Sequence, residues 1–200
     1  MEGIQLKNYA NYDEYIAHQK SKADFGTALR ERLLPTGDLW ESDCEGFRQN
    51  FKPYTDILKD CKNAMCLGAR TGMEVQVLRE MGLDAIGIDL VETPPLVLSG
   101  DVHDVKFEAN SFDFVFSNIF DHVLMPAKFI SEIERISKPN AYCLLHLSVK
   151  VTDDAHAANI LDNSAHVIKL FKREIEVLED KKLEQKDWPE YWTLFVKFKD

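Results

Sequence analysis

The sequence Asn63-Ala64-Met65-Cys66-Leu67-Gly68-Ala69-Arg70-Thr71-Gly72, followed by Ala85-Ile86-Gly87-Ile88-Asp89, decides the fold. It predicts a buried strand, a glycine turn, a helix and a second buried strand that ends in a carboxylate. In such a unit the bare backbone N–H groups of the turn face a ligand, and an acid about 20 residues further on accepts hydrogen bonds from ribose hydroxyls. The unit therefore predicts a ligand that contains a nucleoside.

The rest of the chain alternates between strand-like and helix-like segments. Strands are predicted at 63–67, 85–89, 112–117, 141–149, 173–178 and 191–198, with a short strand near 96–99, and helices at 72–82, 126–138 and 155–171. This alternation is typical of an α/β fold with a doubly wound, mostly parallel sheet, here of seven strands. Too few residues separate the last two strands for a crossover helix, so we expect an antiparallel terminal strand pair.

The first 60 residues have a different pattern. Aromatic and aliphatic residues recur at helical spacing in 11–34 and again in 43–60, with a break at Pro35-Thr36-Gly37-Asp38. We expect residues 1–60 to form an N-terminal helical layer or lid over the ligand edge of a domain that spans residues 61–200. Both segments are expected to share one domain, because no linker separates them and 200 residues suit a single core.

Composition argues against several classes of protein. The net charge is −10, which disfavours a nucleic-acid partner. No window holds the roughly 20 apolar residues of a membrane span, and residues 1–5 lack the features of a signal peptide. The four cysteines form no CxxC pair and the histidines show no metal-ligand spacing. We therefore expect no bound metal and a cytoplasmic location.

Candidate binding residues lie where the predicted strands end. Gly68 and Gly72 permit positive φ, and the helix that follows them offers N–H donors to a carboxylate or phosphate. Asp89 is expected to bind ribose hydroxyls; the alternative is that it caps the next loop. Asp101 could accept a hydrogen bond from an exocyclic amine, with Val102 against the ring; the alternative is an acidic surface turn.

The segment Ser117-Asn118-Ile119-Phe120-Asp121-His122 follows the strand predicted at 112–117, at the same edge of the sheet. Its small polar side chains suit contacts with a substrate or cofactor. His122 is a weak candidate for a general base, since imidazole exchanges protons near neutral pH. A structural role is the more common one for a lone histidine.

Together these motifs resemble the class I S-adenosylmethionine-dependent methyltransferases, and in particular the type 11 methyltransferase-like group. The resemblance covers about residues 60–150 and includes the glycine turn, Gly87-Ile88-Asp89, Gly100-Asp101-Val102 and the segment 112–118. It implies a Rossmann-like domain with S-adenosylmethionine as cofactor and a small-molecule methyl acceptor. The residues that it places at the cofactor are Gly68, Ala69, Arg70, Gly72, Asp89, Leu90, Asp101, Val102 and Asn118.

Two residues depart from the pattern of the group. Cys66 stands where an acidic residue is common, and Arg70 stands where a third glycine is common. Arg70 could pair with the carboxylate of the cofactor, or it could point into solvent.

Three functions therefore remain open. The first is a methyltransferase, and the second is a cofactor-binding or interaction protein of the same fold without transfer activity. The third is a nicotinamide-dependent oxidoreductase. The four-residue glycine spacing and the antiparallel terminal pair count against the oxidoreductase, which a parallel closing strand would favour.

Overall fold

The computed structural model describes residues 2–23, 27–152, 154–183 and 190–199. The strands are β1 Ile4–Leu6, β2 Asn63–Leu67, β3 Asp84–Asp89, β4 Val97–Ser99, β5 Phe112–Ser117, β6 Ser137–Val149, β7 Asn159–Leu161, β8 Ile175–Lys182 and β9 Glu190–Phe198. The helices are α1 Tyr12–Ala23, α2 Thr27–Arg32, α3 Trp40–Phe51, α4 Thr55–Leu58, α5 Met73–Glu80, α6 Pro126–Ile136 and α7 Ala165–Ile168, with 3-10 turns at Lys52–Tyr54 and Phe120–His122.

The main sheet has seven strands in the order β4-β3-β2-β5-β6-β9-β8. All pairs from β4 to β6 are parallel, whereas β9 is antiparallel to both β6 and β8. The predicted mostly parallel sheet and its antiparallel terminal pair are thus confirmed. The strand order reverses direction at β2, which lies between β3 and β5, and open α/β sheets bind ligands beside such a point.

Both faces of the sheet are covered by apolar side chains. Phe129 and Ile133 of α6 lie in the hydrophobic cluster on one face. Phe51 of α3 and Leu78 of α5 lie in the cluster on the other face, where Phe51 contacts Phe116 edge-to-face at 5.0 Å between ring centroids. Burial on both faces explains why the inner strands are nearly continuous apolar runs. Among the described helices, none is long and apolar enough to cross a membrane.

The helical layer predicted for the N-terminal residues is present as α1–α4, with α1 and α2 in the segment 11–34. Residues 24–26 of that segment lie outside the described residues. One strand in this layer was not predicted. β1 pairs antiparallel with β7 in a separate two-stranded sheet, with Ile4 opposite Leu161.

The helix predicted at 155–171 is wrong. The structure has β7 at Asn159–Leu161 and only the short helix α7 at Ala165–Ile168. Asn159 is fully buried and its side-chain amide donates to the carbonyls of Phe120 and Val123, at 2.6 and 2.7 Å. The side chain of Asn163 also accepts a hydrogen bond from the backbone N–H of Ala165. Such side-chain-to-backbone bonds compete with a helix, and here they override the weak helical pattern.

Candidate functional site

A cavity of about 700 Å³ lies at the carboxyl edge of the parallel strands. Its walls come from the loops that follow β2, β3 and β5 and from the N-terminal helices. Of the residues predicted from the sequence, those that line the cavity are Gly68, Arg70, Asp89, Leu90, Asp101, Val102, Asn118 and His122. The cavity therefore lies at the edge of the sheet that the sequence motifs indicated.

The glycine turn is held by the neighbouring strand. The amides of Gly68 and Ala69 both donate to the carbonyl of Ile88, at 2.9 and 3.0 Å. Gly68 has φ of +77°, and a Cβ at this position would lie 2.5 Å from Cδ1 of Ile119, which itself lines the cavity. Glycine is needed here both for the positive φ and for the close approach of Ile119.

Two residues predicted at the cofactor do not line the cavity. The side chain of Ala69 is buried, and a Cβ on Gly87 would lie 2.6 Å from the Cβ of Ala69. Gly72 is the N-cap of α5 with φ of +94°, and a Cβ there would meet Leu96 at 2.7 Å. Both residues therefore support the turn through packing contacts outside the cavity.

Arg70 and Asp89 are joined by a hydrogen bond beside the glycine turn. Arg70 has φ of +45°, which is unusual for a residue with a Cβ. Its backbone N–H donates to Oδ2 of Asp89 at 2.9 Å, and the N–H of Val91 donates to Oδ1 at 3.3 Å. Asp89 is half-buried and lines the cavity, and its carboxylate can accept hydrogen bonds beyond these two, while the side chain of Arg70 is exposed.

Asp101 lies in a side-chain network. Its Oδ1 accepts from the backbone N–H and from Nδ1 of His103, at 2.8 and 2.9 Å, and its Oδ2 accepts from the hydroxyl of Tyr12. The amide of Met125 donates to Nε2 of His103, so the ring proton resides on Nδ1. Burial alone would raise the pKa of Asp101, but the hydrogen bonds from His103 and Tyr12 lower it to about 2. One acceptor position of this carboxylate remains available to a ligand amine.

Side chains of α1 and α2 attach the N-terminal layer to the site. Tyr15 donates from its hydroxyl to the carbonyl of His122 at 2.9 Å, and Gln19 donates to the carbonyl of His156 at 2.8 Å. Arg30 donates to Oγ1 of Thr93 at 2.8 Å. These contacts place the two helices over the cavity.

His122 also lines the cavity and lies close to two carboxylates. Its Nδ1 is 3.0 Å from the carbonyl oxygen of His156, which can only accept, so Nδ1 donates. Its Nε2 lies 3.6 Å from Oδ2 of Asp121 and 3.8 Å from Oδ2 of Asp154. The roles of Asp154 and His156 are not predicted from the sequence, because only the tertiary fold brings their loop close to His122.

Glu74 is a further residue that the sequence analysis missed. It lines the cavity from the first turn of α5, yet it is only 4% exposed. Burial raises the pKa of its carboxyl to about 8, with a smaller opposing effect from Arg70. Cys66 is also fully buried, and burial raises the pKa of its thiol well above the usual value.

Residues 65–145 match a family model described as a methyltransferase domain. This match and the seven-stranded fold confirm the resemblance to class I S-adenosylmethionine-dependent methyltransferases, and S-adenosylmethionine is the cofactor of that class.

Several solved structures are similar to this chain. One is the 1,6-didemethyltoxoflavin-N1-methyltransferase of Burkholderia thailandensis, solved with bound 1,6-didemethyltoxoflavin and S-adenosylhomocysteine. It is 16% identical to this chain with a TM-score of 0.72, and the match covers 97% of this chain and 93% of that one. A putative S-adenosylmethionine-dependent methyltransferase of Listeria monocytogenes is 13% identical with a TM-score of 0.61, covering 78% and 99%. A SAM-dependent methyltransferase of Aquifex aeolicus is 17% identical with a TM-score of 0.58, covering 89% and 97%. No curated protein matches the sequence.

The chemistry of the cavity residues fits this cofactor. Asp89 can accept hydrogen bonds from ribose hydroxyls, and Asp101 has an acceptor position for the adenine amine. The exposed guanidinium of Arg70 suits a carboxylate. The shape of the turn around Gly68 is kept although Cys66 and Arg70 depart from the common pattern.

Proposed function

We propose that the protein is an S-adenosylmethionine-dependent methyltransferase that acts on a small molecule bound in the same cavity as the cofactor. One observation carries this proposal. The cavity lined by Gly68 and Asp89 is also lined by Gln19, His122 and His156, so it offers a second set of polar groups beyond those suited to the cofactor. In this proposal residues 1–60 cover the binding site, and residues 61–200 form the cofactor-binding domain.

The covered position of the cavity supports a small acceptor. Helices α1, α2 and α3 all contribute to its walls, through Tyr15, Arg30 and Phe47 among others. Its volume of about 700 Å³ lies within the range of roughly 300–1,000 Å³ that is usual for small-ligand sites. The net charge of −10 disfavours a polyanionic acceptor. The Burkholderia enzyme, 93% of whose chain is covered, is named for 1,6-didemethyltoxoflavin, which is bound in its structure.

The proposed roles follow from the side chains. When bound, S-adenosylmethionine supplies a methyl group on a sulfonium, ready for in-line transfer to a nucleophile of the acceptor. Asp89 binds the ribose, Asp101 the adenine amine and Arg70 the carboxylate of the methionine part. With both reactants fixed in a covered cavity, positioning alone supplies a large part of the rate.

His122 is the proposed base for an acceptor that must lose a proton. Since Nδ1 donates to the carbonyl of His156, the basic nitrogen is Nε2. The carboxylates of Asp121 and Asp154, at 3.6 and 3.8 Å, would stabilise the imidazolium that proton removal produces. General base catalysis typically contributes about 10²–10⁴-fold in rate.

The test has two stages. S-adenosylhomocysteine binding is measured first by calorimetry, and a panel of N-, O- and S-nucleophilic small molecules is then screened for S-adenosylhomocysteine production. Binding with turnover on at least one acceptor, and a kcat that falls about 100-fold or more in His122→Ala, supports the proposal. Absence of binding contradicts the cofactor site, whereas binding without turnover on any acceptor favours a binding protein of the same fold.

A further inference from the structure

We infer that Glu74 binds the positively charged amino group in the methionine part of the cofactor and releases its proton to solvent as the cofactor binds. The inference rests on the proposed use of the cavity for S-adenosylmethionine. It assigns a role to a residue that lies outside the sequence motifs of the site.

The position of Glu74 is the first reason. Glu74 lines the cavity together with Gly68 and Arg70, where the glycine turn meets the start of α5. It is nevertheless 4% exposed. Among the described residues, no side chain donates a hydrogen bond to its carboxyl group. A carboxyl group that is buried beside a cavity and lacks a side-chain partner is suited to a ligand that donates hydrogen bonds.

The charges around Glu74 are the second reason. Arg70 is the nearby cation, Asp89 adds a repulsive charge, and the adjacent buried Cys66 is a neutral thiol at physiological pH. Asp43 of α3 also lines the cavity, and it is an acid rather than a second cation. Burial therefore dominates and raises the pKa of Glu74 to about 8, so the carboxyl group holds a proton near neutral pH.

A cation that enters the cavity reverses this preference. An ammonium group against the carboxyl stabilises its ionised form, so the proton leaves Glu74 and enters the solvent while the ammonium keeps its own protons. The methionine part of the cofactor carries an ammonium and a carboxylate on the same carbon. Once Glu74 is ionised, it and Arg70 line the same cavity with opposite charges, which is the arrangement that a zwitterion requires.

The proton release can be counted by calorimetry. Wild-type protein is titrated with S-adenosylhomocysteine at pH 7.0 in phosphate and in Tris, whose ionisation enthalpies differ, and the number of released protons follows from the difference in observed heat. The control ligand is 5′-methylthioadenosine, which has the adenine, the ribose and the thioether but no amino acid. We expect release of close to one proton with S-adenosylhomocysteine, none with 5′-methylthioadenosine, and an affinity for S-adenosylhomocysteine that rises up to about tenfold per pH unit between pH 6 and 7.5.

Two variants test whether the released proton comes from Glu74. Glu74→Gln keeps the shape of the side chain and should abolish the release, weaken S-adenosylhomocysteine binding about tenfold or more and leave 5′-methylthioadenosine binding unchanged. Glu80→Gln is the matched control on the same helix, because Glu80 pairs with Arg48 outside the cavity. It should behave as wild type in every titration.

The outcomes separate this inference from the proposed function. S-adenosylhomocysteine binding without proton release overturns the role of Glu74 and leaves the methyltransferase proposal intact. Release with S-adenosylmethionine but not with S-adenosylhomocysteine would assign Glu74 to the sulfonium and contradict the inference. If neither S-adenosylhomocysteine nor 5′-methylthioadenosine binds, the proposed function fails and the inference fails with it.

Discussion

Two parts of the cavity lining are built in different ways. Around the glycine turn, the amide of Gly68 donates to the carbonyl of Ile88 and the amide of Arg70 donates to the side chain of Asp89, all within one βαβ unit. Around His122, the contacts are with Asp154 and with the carbonyl of His156, and Tyr15 of α1 bonds to the carbonyl of His122 from more than 100 residues away. The first part is determined by local sequence, whereas the second depends on the packing of distant segments. Substitutions in the two parts should therefore have different consequences.

The largest effect is expected for Gly68→Val. The new side chain would collide with Ile119 and would occupy a φ of +77°, so we expect a loss of about 4 kcal/mol in the free energy of unfolding and no cofactor binding. Gly82→Val is the control, since Gly82 has φ of +97° but nothing within 4 Å of its Cβ position. Urea unfolding of both variants separates strain from collision; equal losses would show that the contact with Ile119 is unimportant.

The next effect concerns the stability of the ligand-free protein at alkaline pH. Glu74 is protonated in the folded state up to about pH 8 but ionises near pH 4.5 in the unfolded chain. Its contribution is therefore complete below pH 4.5 and is lost as the pH rises from 4.5 to 8, which amounts to roughly 4 kcal/mol between pH 5 and pH 8.5. Glu74→Gln stays neutral and should not share this loss. Urea unfolding at pH 5 and pH 8.5 checks this; parallel curves for both proteins would contradict it.

Asp89→Ala should weaken S-adenosylhomocysteine binding by about 1.5–3 kcal/mol, or roughly tenfold to a hundredfold, because a charged acceptor of ribose hydroxyls is lost. The same change removes the acceptor of the Arg70 amide. Asp89→Asn keeps a neutral acceptor for that amide and separates the two contributions. Calorimetric titration measures all three proteins, and an unchanged affinity in Asp89→Ala would remove Asp89 from the site.

Tyr12→Phe tests the covered side of the molecule. It removes the hydroxyl that donates to Asp101 and should cost about 1 kcal/mol of stability, with faster hydrogen exchange in α1. Tyr9→Phe is the control, because the hydroxyl of Tyr9 bonds to His18 within the N-terminal layer. If both variants exchange alike, Tyr12 does not fasten the layer to the site.

The smallest effect is expected for Arg70→Gly. Glycine relieves the strain of a φ of +45°, while loss of the guanidinium should weaken S-adenosylhomocysteine binding about fivefold, as for an exposed ion pair. Tighter binding in the variant would mean that Arg70 obstructs the cavity. Equal affinity would assign the side chain to solvent.

The sheet could be predicted because its strands carry their own signal. Segments such as Phe112–Ser117 are short apolar runs between helices, and that pattern specifies parallel strands with both faces buried. The pairing of Ile4–Leu6 with Asn159–Leu161 could not be predicted in this way. Each strand has three residues, too few for a periodic pattern, and the pairing depends on the buried amide of Asn159.

The residues of the candidate site also divide into those that lie at strand ends and those that only the tertiary fold positions. Gly68, Asp89 and Asp101 lie at the ends of predictable strands, and the structure places all three at the cavity. The role of Glu74 could not be predicted, because an acid in the first turn of an amphipathic helix is usually solvated. Only the tertiary fold buries the side chain of Glu74. Asp154 belongs to a loop whose position is set by contacts far along the chain.

The pairing of β1 with β7 has a consequence for the order in which the chain folds during synthesis. Ile4 leaves the ribosome early, but its partner Leu161 is added much later, roughly 8–30 s afterwards at about 5–20 residues per second. The parallel strands from Asn63 to Ser117 can associate during this interval. Contacts of the N-terminal layer with earlier segments, such as Arg30 with Thr93, can form in the same interval. Strand β1 can pair only when the second half of the chain has emerged, because contacts of such long range form slowly and late. The nascent protein therefore builds the cofactor edge first and completes the part of the cavity around His122 and His156 last.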